Sequence, residues 1–455
     1  MNQIAAGRVA GLFQGGVFQE LNPHPGAVFL CARGARNGRP LIVIASDPEP
    51  PAEPPDLAGS LSRVLHALAE AGEAACPVVF LFDAPALFNS GQTAFQGAGA
   101  ELLLGREGVG RLYYELGRLG QRVPVVGAVF GALAQAQAFP AGMCRALAML
   151  PEASLTVARP DAVRALLGEE TTYQEMGGAK VHFRQTGLCD YLAPDEPAAL
   201  AWLGRLLDYL PAAGQAPPPA APGRRDPMAA PLAEVIPERL DLPFAAHEVV
   251  AALVDQDSFL ELGAGHAREV VTGLARFAGR PAALVVSNPR INGAMMFPAS
   301  CRKLARFIGF ADLCRLPLVF LADAPGFMIG AMVEQAGSVE AGAALFEAIA
   351  RATSPRLAVV LRRAYTAGLY ALGGAGFAPA ALWALPGASI GVYGPEAVDR
   401  LLEKLDLPPE KENALRQKMA EDGSLEGLLA RGLLDAVIPP ANLRREIARF
   451  LGPGL

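Results

Sequence analysis

The residues with chemistry to offer in this chain are small ones. Arg363-Ala364-Tyr365-Thr366-Ala367-Gly368-Leu369-Tyr370 follows a short apolar strand pattern and opens a helix. Small side chains at such a start leave backbone N–H groups free to hold a developing oxyanion, and the helix dipole adds to the attraction. The same residues suit a close helix contact that excludes bulk, and both readings stay open. A second loop of this kind, Gly131-Ala132-Leu133-Ala134-Gln135-Ala136, also follows a strand, so two oxyanion holes would face two carbonyls. Asp323-Ala324-Pro325-Gly326-Phe327-Met328-Ile329-Gly330 is a strand exit with two glycines, which suits close backbone approach to a ligand or an ordinary tight turn. Ligands gather at the carboxyl ends of parallel strands, so these loops and the one after Asp83-Ala84-Pro85 are expected to line the site.

Side-chain chemistry is thin. His24, His66, His182, His247 and His266 form no local ligand pair, and no Ser, His and Asp arrangement can be drawn. There is no P-loop and no GxGxxG fingerprint after a strand. Cys31, Cys76, Cys144, Cys189, Cys301 and Cys314 include no CxxC pair, which excludes zinc-ribbon and thioredoxin-type readings; no metal site is expected. An enzyme built this way places most of its catalysis on backbone donors.

The elements that must position these loops occur twice. Pro77 to Pro85 reads PVVFLFDAP and Pro317 to Pro325 reads PLVFLADAP. Leu150 to Leu167 and Leu385 to Leu402 share ten of eighteen residues, and Gly38-Arg39-Pro40 echoes Gly279-Arg280-Pro281. Echoes in the same order, about 230 to 240 residues apart, indicate two copies of one domain, with function where the copies face each other. Each copy reads as a Gly-Arg-Pro turn, a short apolar strand (Leu41 to Ala45; Ala282 to Ser287), a helix (Ser60 to Glu73; Pro298 to Cys314) and a strand ending in Asp-Ala-Pro. A helix (Gly105 to Leu119; Val339 to Thr353), a strand (Val123 to Phe130; Leu357 to Arg362) and a helix opened by Pro160-Asp161 or Pro395-Glu396 follow. Strands alternating with helices predict a mostly parallel α/β sheet with crossover helices.

The Pro-rich stretch 212–237 cannot hold a helix or a central strand and is expected to link a domain at 1–211 to one at 238–455. A smaller Pro-rich interruption, Asp47 to Pro55, has no counterpart in the second copy. Only 18% of residues are charged and mean hydropathy is +0.28, which favours a large homo-oligomer over a monomer. A net charge of −6 gives no basic face for nucleic acid. Val123 to Cys144 and Ala364 to Pro395 carry no charge, but Gly and Pro break both; a buried strand, loop and helix is expected, not membrane insertion. Scattered thiols and an N-terminus without a signal peptide pattern predict a cytoplasmic setting.

With these residues laid out, the chain resembles the carboxyltransferase (beta) subunit of biotin-dependent acyl-CoA carboxylases over nearly its whole length. The resemblance rests on Asp323 to Gly330, Ala364 to Tyr370, Trp383 to Val392, Gly59-Ser60-Leu61-Ser62 and the glycine-rich run Gln174 to His182, found only in the first copy. It implies an α/β fold of two tandem crotonase/ClpP-like ββα spiral domains from an internal duplication. It implies that amides of Ala367 and Gly368 hold the biotin ureido oxygen, and that amides at Gln135 and Ala136 hold the enolate oxygen of an acyl-CoA. Gly326, Phe327, Tyr365 and Thr366 would contact biotin; Gly131, Ala134, Gly177 and Gly178 would contact the thioester. It further implies a hexamer, as a trimer of dimers with sites across the dimer interface, and a biotin carboxylase and biotin carrier as partners. The Ala-Met-Lys-Met biotin-attachment tetrapeptide is absent, so biotin would arrive on another chain.

The chain departs from that pattern in its first half. Gln135-Ala136 stands where the family has Gly-Gly, Ala84 to Gly91 replaces a Ser-Gly-Gly-Ala-Arg type loop, and Thr366 replaces a common Gly. Tyr365 to Tyr370 is more similar to the branch acting on methylcrotonyl-, geranyl- or glutaconyl-type thioesters than to the propionyl branch. An acyl-CoA decarboxylase running the reverse half-reaction, and a silent CoA-binding paralogue, are the alternatives. Gly368→Val is expected to obstruct the hole without touching a core contact.

Overall fold

The computed structural model describes residues 3–452 apart from 25, 47, 49–55, 84–101, 103, 212–216, 227 and 406–407. Its internal contacts divide it into two units, Met1–Pro218 with Leu313–Arg315, and Pro219–Asp312 with Leu316–Leu455.

The first unit carries β1 (Phe18–Glu20), β2 (Phe29–Arg36), β3 (Arg39–Ser46), β4 (Val78–Phe82), β5 (Val125–Val129), β6 (Ala132–Ala134), β7 (Ala146–Met149), β8 (Ser154–Thr156) and β9 (Tyr191–Leu192). Its main sheet runs β1-β2-β3-β4-β5-β7-β9, antiparallel through β3 and parallel beyond, while β6 and β8 form a separate parallel pair. The second unit repeats the plan with β10 (Leu260–Leu262), β11 (Val270–Phe277), β12 (Arg280–Ser287), β13 (Leu318–Ala324), β14 (Arg356–Tyr365), β15 (Ala381–Ala384), β16 (Ser389–Gly391) and β17 (Ala436–Val437). Here β10-β11-β12-β13-β14-β15-β17 is one path, and β16 pairs with the end of β14. One ten-residue strand thus does the work that β5 and β6 share in the first unit.

The antiparallel entry differs from the expected single strand after a turn. Gly38-Arg39-Pro40 is the far side of a hairpin whose apex, Asn37-Gly38, takes φ of 50° and 71°. Two positive φ values in a two-residue loop match the right-handed twist of the strands, and Asn-Gly is the sequence signal for them. Ala278-Gly279 repeats the turn at 50° and 83°. Beyond the hairpins, β4, β5 and β13 are buried along their whole length, as apolar runs without alternation require. Helices Leu57–Ala74 and Val109–Leu119 cross over in the first unit, and Pro298–Leu313 and Ser338–Arg351 in the second. Asp56 caps the first of these by accepting from Gly59 N at 2.8 Å, and Ser60 Oγ accepts from Val28 N, so the Gly59-Ser60 motif serves a helix start.

The two uncharged stretches fold as expected: 123–144 holds β5, β6 and two short helices, and among the described residues no helix is long and apolar enough to cross a membrane. The Pro-rich stretch is more ordered than its composition suggests. Ala221 N donates to Gly279 O at 2.9 Å, the backbones of Arg225 and Asp255 form an isolated antiparallel bridge, and Leu232–Val235 forms one helical turn after Pro231 that buries Leu232 and Val235. A single turn needs no interior proline N–H, which is why proline composition fails to forbid it. The loop expected at 84–91 lies outside the described residues, as does most of 47–55.

Candidate functional site

In the second unit β14 ends at Tyr365, Thr366 turns the chain at φ 40° and ψ −120°, and a helix runs Ala367–Ala371. This φ is the left-handed region that favours glycine, and holding a β-branched residue there costs about 1–3 kcal/mol. Thr366 N donates to Gly391 O at 3.1 Å, which ties the apex to β16. The amides of Ala367 and Gly368 come next and have no acceptor among the described residues, as expected for the first N–H groups of a helix.

The exit of β13 lies directly against this turn. A Cβ at Gly368 would sit 2.8 Å from Ala324 O and 3.0 Å from Gly326 N. Gly368 is buried, so the expectation that a larger residue there spares the core is corrected: the glycine is required by a backbone–backbone approach. Gly326, at φ 133°, accepts from Met296 N through its carbonyl at 3.0 Å. The Phe327 ring lies 6.1 Å from Phe346, which lies 5.6 Å from Phe377, itself 6.4 Å from Tyr370, an aromatic cluster that includes the helix after the turn. Tyr365 is buried and its hydroxyl bonds Ser389 Oγ at 3.0 Å, so it ties β14 to β16.

Asp323 of the Asp-Ala-Pro motif is completely buried and binds guanidinium groups. Arg362 Nη2 donates to it at 2.6 Å and Arg363 Nε at 2.7 Å, while Arg362 also donates to the carbonyls of Arg239 and Leu242. In the first unit the equivalent Asp83 accepts from Arg8 Nη1 at 2.8 Å, and Arg8 also bonds Glu196. The motif's acid is therefore an anchor for the strand end. Arg8, on the helix Gln3–Leu12, was not predictable from the second copy, whose arginines come from β14.

The first unit's loop repeats the geometry. Ala134 pairs with Thr156 as Tyr365 pairs with Gly391, and Ala132 with Ser154 as Arg363 with Ser389. That register makes Gln135, at φ 58°, the twin of Thr366, Ala136 the twin of Ala367 and Gln137 the twin of Gly368. The sequence reading selects Gln135 and Ala136; the strand register adds Gln137, visible in the sequence only once the two small parallel pairs are aligned. The amides of Ala136 and Gln137 have no acceptor among the described residues. Tyr113 Oη donates to Ala136 O at 2.8 Å, and burial raises its pKa, which keeps the phenol protonated as a donor. Gly131, between β5 and β6, accepts from Ser154 N.

Gly177 and Gly178 act one layer away, on β8. A Cβ on Gly177 would run into Leu155 O, and Gly178 bridges Ser154. Around them Gln174 Nε2 donates to Glu152 O at 2.7 Å, Ala179 N to Ala153 O at 2.9 Å, and His182 Nε2 lies 2.9 Å from Leu155 O. The run 174–182 thus holds carbonyls in β8, the strand that pairs with β6, and just before it. No group of three or more His, Cys, Asp or Glu among the described residues suits a metal ion.

A family model described as the carboxyl transferase domain matches residues 30–452. The chain is 38% identical to an uncharacterized carboxylase, YngE, of Bacillus subtilis (strain 168), over 83% of this chain and 74% of that one. It is 30% identical to the biotin-dependent 3-methylcrotonyl-coenzyme A carboxylase beta1 subunit of Mycobacterium tuberculosis (strain ATCC 25618 / H37Rv), over 97% and 84%. The solved transcarboxylase 12S structure, a hexamer assembly with hydrolyzed methylmalonyl-coenzyme A bound, superposes with a TM-score of 0.85 at 26% identity, covering 98% of this chain and 88% of that one. Doubled strand–turn–helix sites, a family match across both units and this superposition agree: the chain belongs to the carboxyl transferase family, as a crotonase-fold carboxyltransferase of the biotin-dependent acyl-CoA carboxylases.

Proposed function

We propose that this chain moves a carboxyl group between biotin, carried on a separate chain, and the α- or vinylogous carbon of an acyl-CoA thioester. One observation carries the reading: both units present adjacent backbone amides after a positive-φ turn, in the same strand register and without an acceptor among the described residues. Paired N–H groups without acceptors suit an oxygen that gains negative charge. Carboxybiotin supplies the carboxyl group and, after its release, a ureido nitrogen basic enough to take the thioester's α-proton. The amides of Ala367 and Gly368 hold the ureido oxygen; those of their register twins Ala136 and Gln137, with Gln135 at the apex beside them, hold the enolate oxygen. No side chain of the protein then acts as general base, consistent with the lack of a Ser, His and Asp arrangement.

Gly326 and Phe327 border the biotin side, and Gly131 and Ala134 the thioester side. The assembly we propose is a trimer of dimers with a biotin carboxylase and biotin carrier as partners, in a cytoplasmic setting. The hexamer named for the 12S relative supports it. So do apolar side chains exposed at twin positions beside the two turns, Phe139 with Tyr370 and Val157 with Val392. A silent CoA-binding role is the second reading, favoured by the side chains of Gln135 and Ala136 at the thioester turn. Purified protein is to be mixed with free biotin and malonyl-, methylmalonyl- and glutaconyl-CoA in turn. Loss of the carboxyl group from any of them is expected; inertness across the panel overturns the carboxyltransferase reading in favour of the silent one.

A further inference from the structure

We infer that Arg8 is a positioning residue for the thioester side of the reaction: from the helix Gln3–Leu12 it fixes the ends of β4 and β5 where the chain leaves the main sheet for the Gln135 turn. The inference rests on the carboxyltransferase reading and deepens it. All three nitrogens of the buried guanidinium are engaged. Nη1 donates to Asp83 at 2.8 Å, while Nε and Nη2 donate to Glu196 at 2.8 and 2.7 Å. The guanidinium carbon stands 4.0 Å from the centre of the Phe130 ring. Asp83 follows the last residue of β4, Phe130 follows the last residue of β5, and Phe130 N donates to Phe82 O at 2.9 Å. Arg8 therefore touches both strand ends at the edge where parallel strands collect their ligands. From there β6 starts at Ala132 and runs to Ala134, next to the Gln135 apex.

The second unit builds the same contact from transposed parts. Its cations come from β14, and Arg362 stands 4.8 Å from the ring of Phe244, just before the helix Ala246–Leu253. In the first unit the cation is on the helix and the ring follows the strand. The strand register makes Gly131 and Ala132 the twins of Arg362 and Arg363. Arg8-Val9-Ala10-Gly11-Leu12 is matched by Val249-Val250-Ala251-Ala252-Leu253, so Arg8 stands where the second copy has a buried valine. The exchange keeps an acid, a guanidinium and an aromatic ring at the strand ends, yet clears long side chains from Gly131 and Ala132. A thioester bordered by Gly131 and Ala134 needs that clearance, and the charge that holds the strand ends is then supplied from behind.

The test uses the full chain, free biotin and whichever thioester of the malonyl-, methylmalonyl- and glutaconyl-CoA panel the unaltered protein decarboxylates, with folding checked by circular dichroism at the assay temperature. Arg8→Met keeps the length and removes the charge; Arg8→Lys keeps the charge and loses the planar fork. Arg8→Met is expected to raise KM for the thioester about tenfold, the worth of one misaligned hydrogen bond, and to leave KM for free biotin unchanged. Arg8→Lys should recover part of that loss. Should Arg8→Met not fold, because Asp83 and Glu196 lose their cation, Arg8→Lys carries the test through a smaller rise in thioester KM alone. A thioester KM that does not move, whether or not kcat falls, is what a merely structural arginine gives. It overturns the assignment while leaving the carboxyltransferase reading intact, as does an equal rise in both KM values. Inertness of the unaltered protein overturns both.

Discussion

Gly368 shows how narrow the tolerance is at the residue scale. Its missing Cβ is the space that Ala324 O and Gly326 N occupy, so even a methyl group must push the β13 exit away from the turn. Gly368→Ala is expected to cost about 1–3 kcal/mol by overpacking. It should also cut turnover, because the displaced backbone is the one beside the paired amides. A urea melt and steady-state kinetics on the same preparation check both, and unchanged stability would show that the exit loop yields freely. The importance of this glycine was legible in the sequence, but its reason was not. Sequence spacing marks a small residue after a strand; only the fold brings residues 324–326 against it. Thr366 is the converse case, since its departure from glycine stands out only against the family resemblance, while its positive φ follows from the fold.

At the scale of elements, the ends of β13 and β14 are joined by a buried ionic knot. Asp323 is fully buried, Arg362 nearly so, and Arg363 partly. Removing the acid leaves guanidinium groups out of water without their carboxylate, so Asp323→Ala is expected to lose about 3–5 kcal/mol. Chemical denaturation measures this directly, and a loss below about 1 kcal/mol, the scale of an exposed pair, would refute the role given to it. The duplicated Asp-Ala-Pro was readable as a repeat, and the strands and crossover helices followed from apolar runs of the right length. The hairpins did not. Asn37-Gly38 is the ordinary signal for one, yet the second copy has Ala278-Gly279 there, and what the copies share, Gly-Arg-Pro, carries no hairpin signal. The glycine-rich run 174–182 carries the family resemblance, which implies thioester contacts at Gly177 and Gly178; that the same run also holds carbonyls of Glu152, Ala153 and Leu155 has no signature in a single sequence.

Across the whole molecule the six cysteines are buried and none is in a disulfide. Loss of solvation raises the pKa of Cys31 and Cys301 to about 12 and of Cys76 to about 11, and that of Cys314 also rises. The thiolate is the reactive form, so a thiol reagent at neutral pH should label next to nothing in the native protein. All six should react after denaturation, and rapid native labelling would contradict the burial. The absence of CxxC pairs in the sequence excludes zinc-ribbon and thioredoxin-type readings, while the burial of the thiols depends on packing that no local pattern encodes.

The two units also differ in how each turn is mounted. In the second, β14 runs unbroken from the main sheet to the apex, a single beam bonded to β13, β15 and β16 along its length. In the first, Phe130 and Gly131 interrupt the path between β5 and β6, so the apex is articulated from the sheet. On the proposed assignment the rigid mounting meets the ureido ring, which never varies, and the jointed one meets the thioester, whose acyl group does. A family that keeps one reactant and exchanges the other has reason to hold the first stiffly and let the second seat itself.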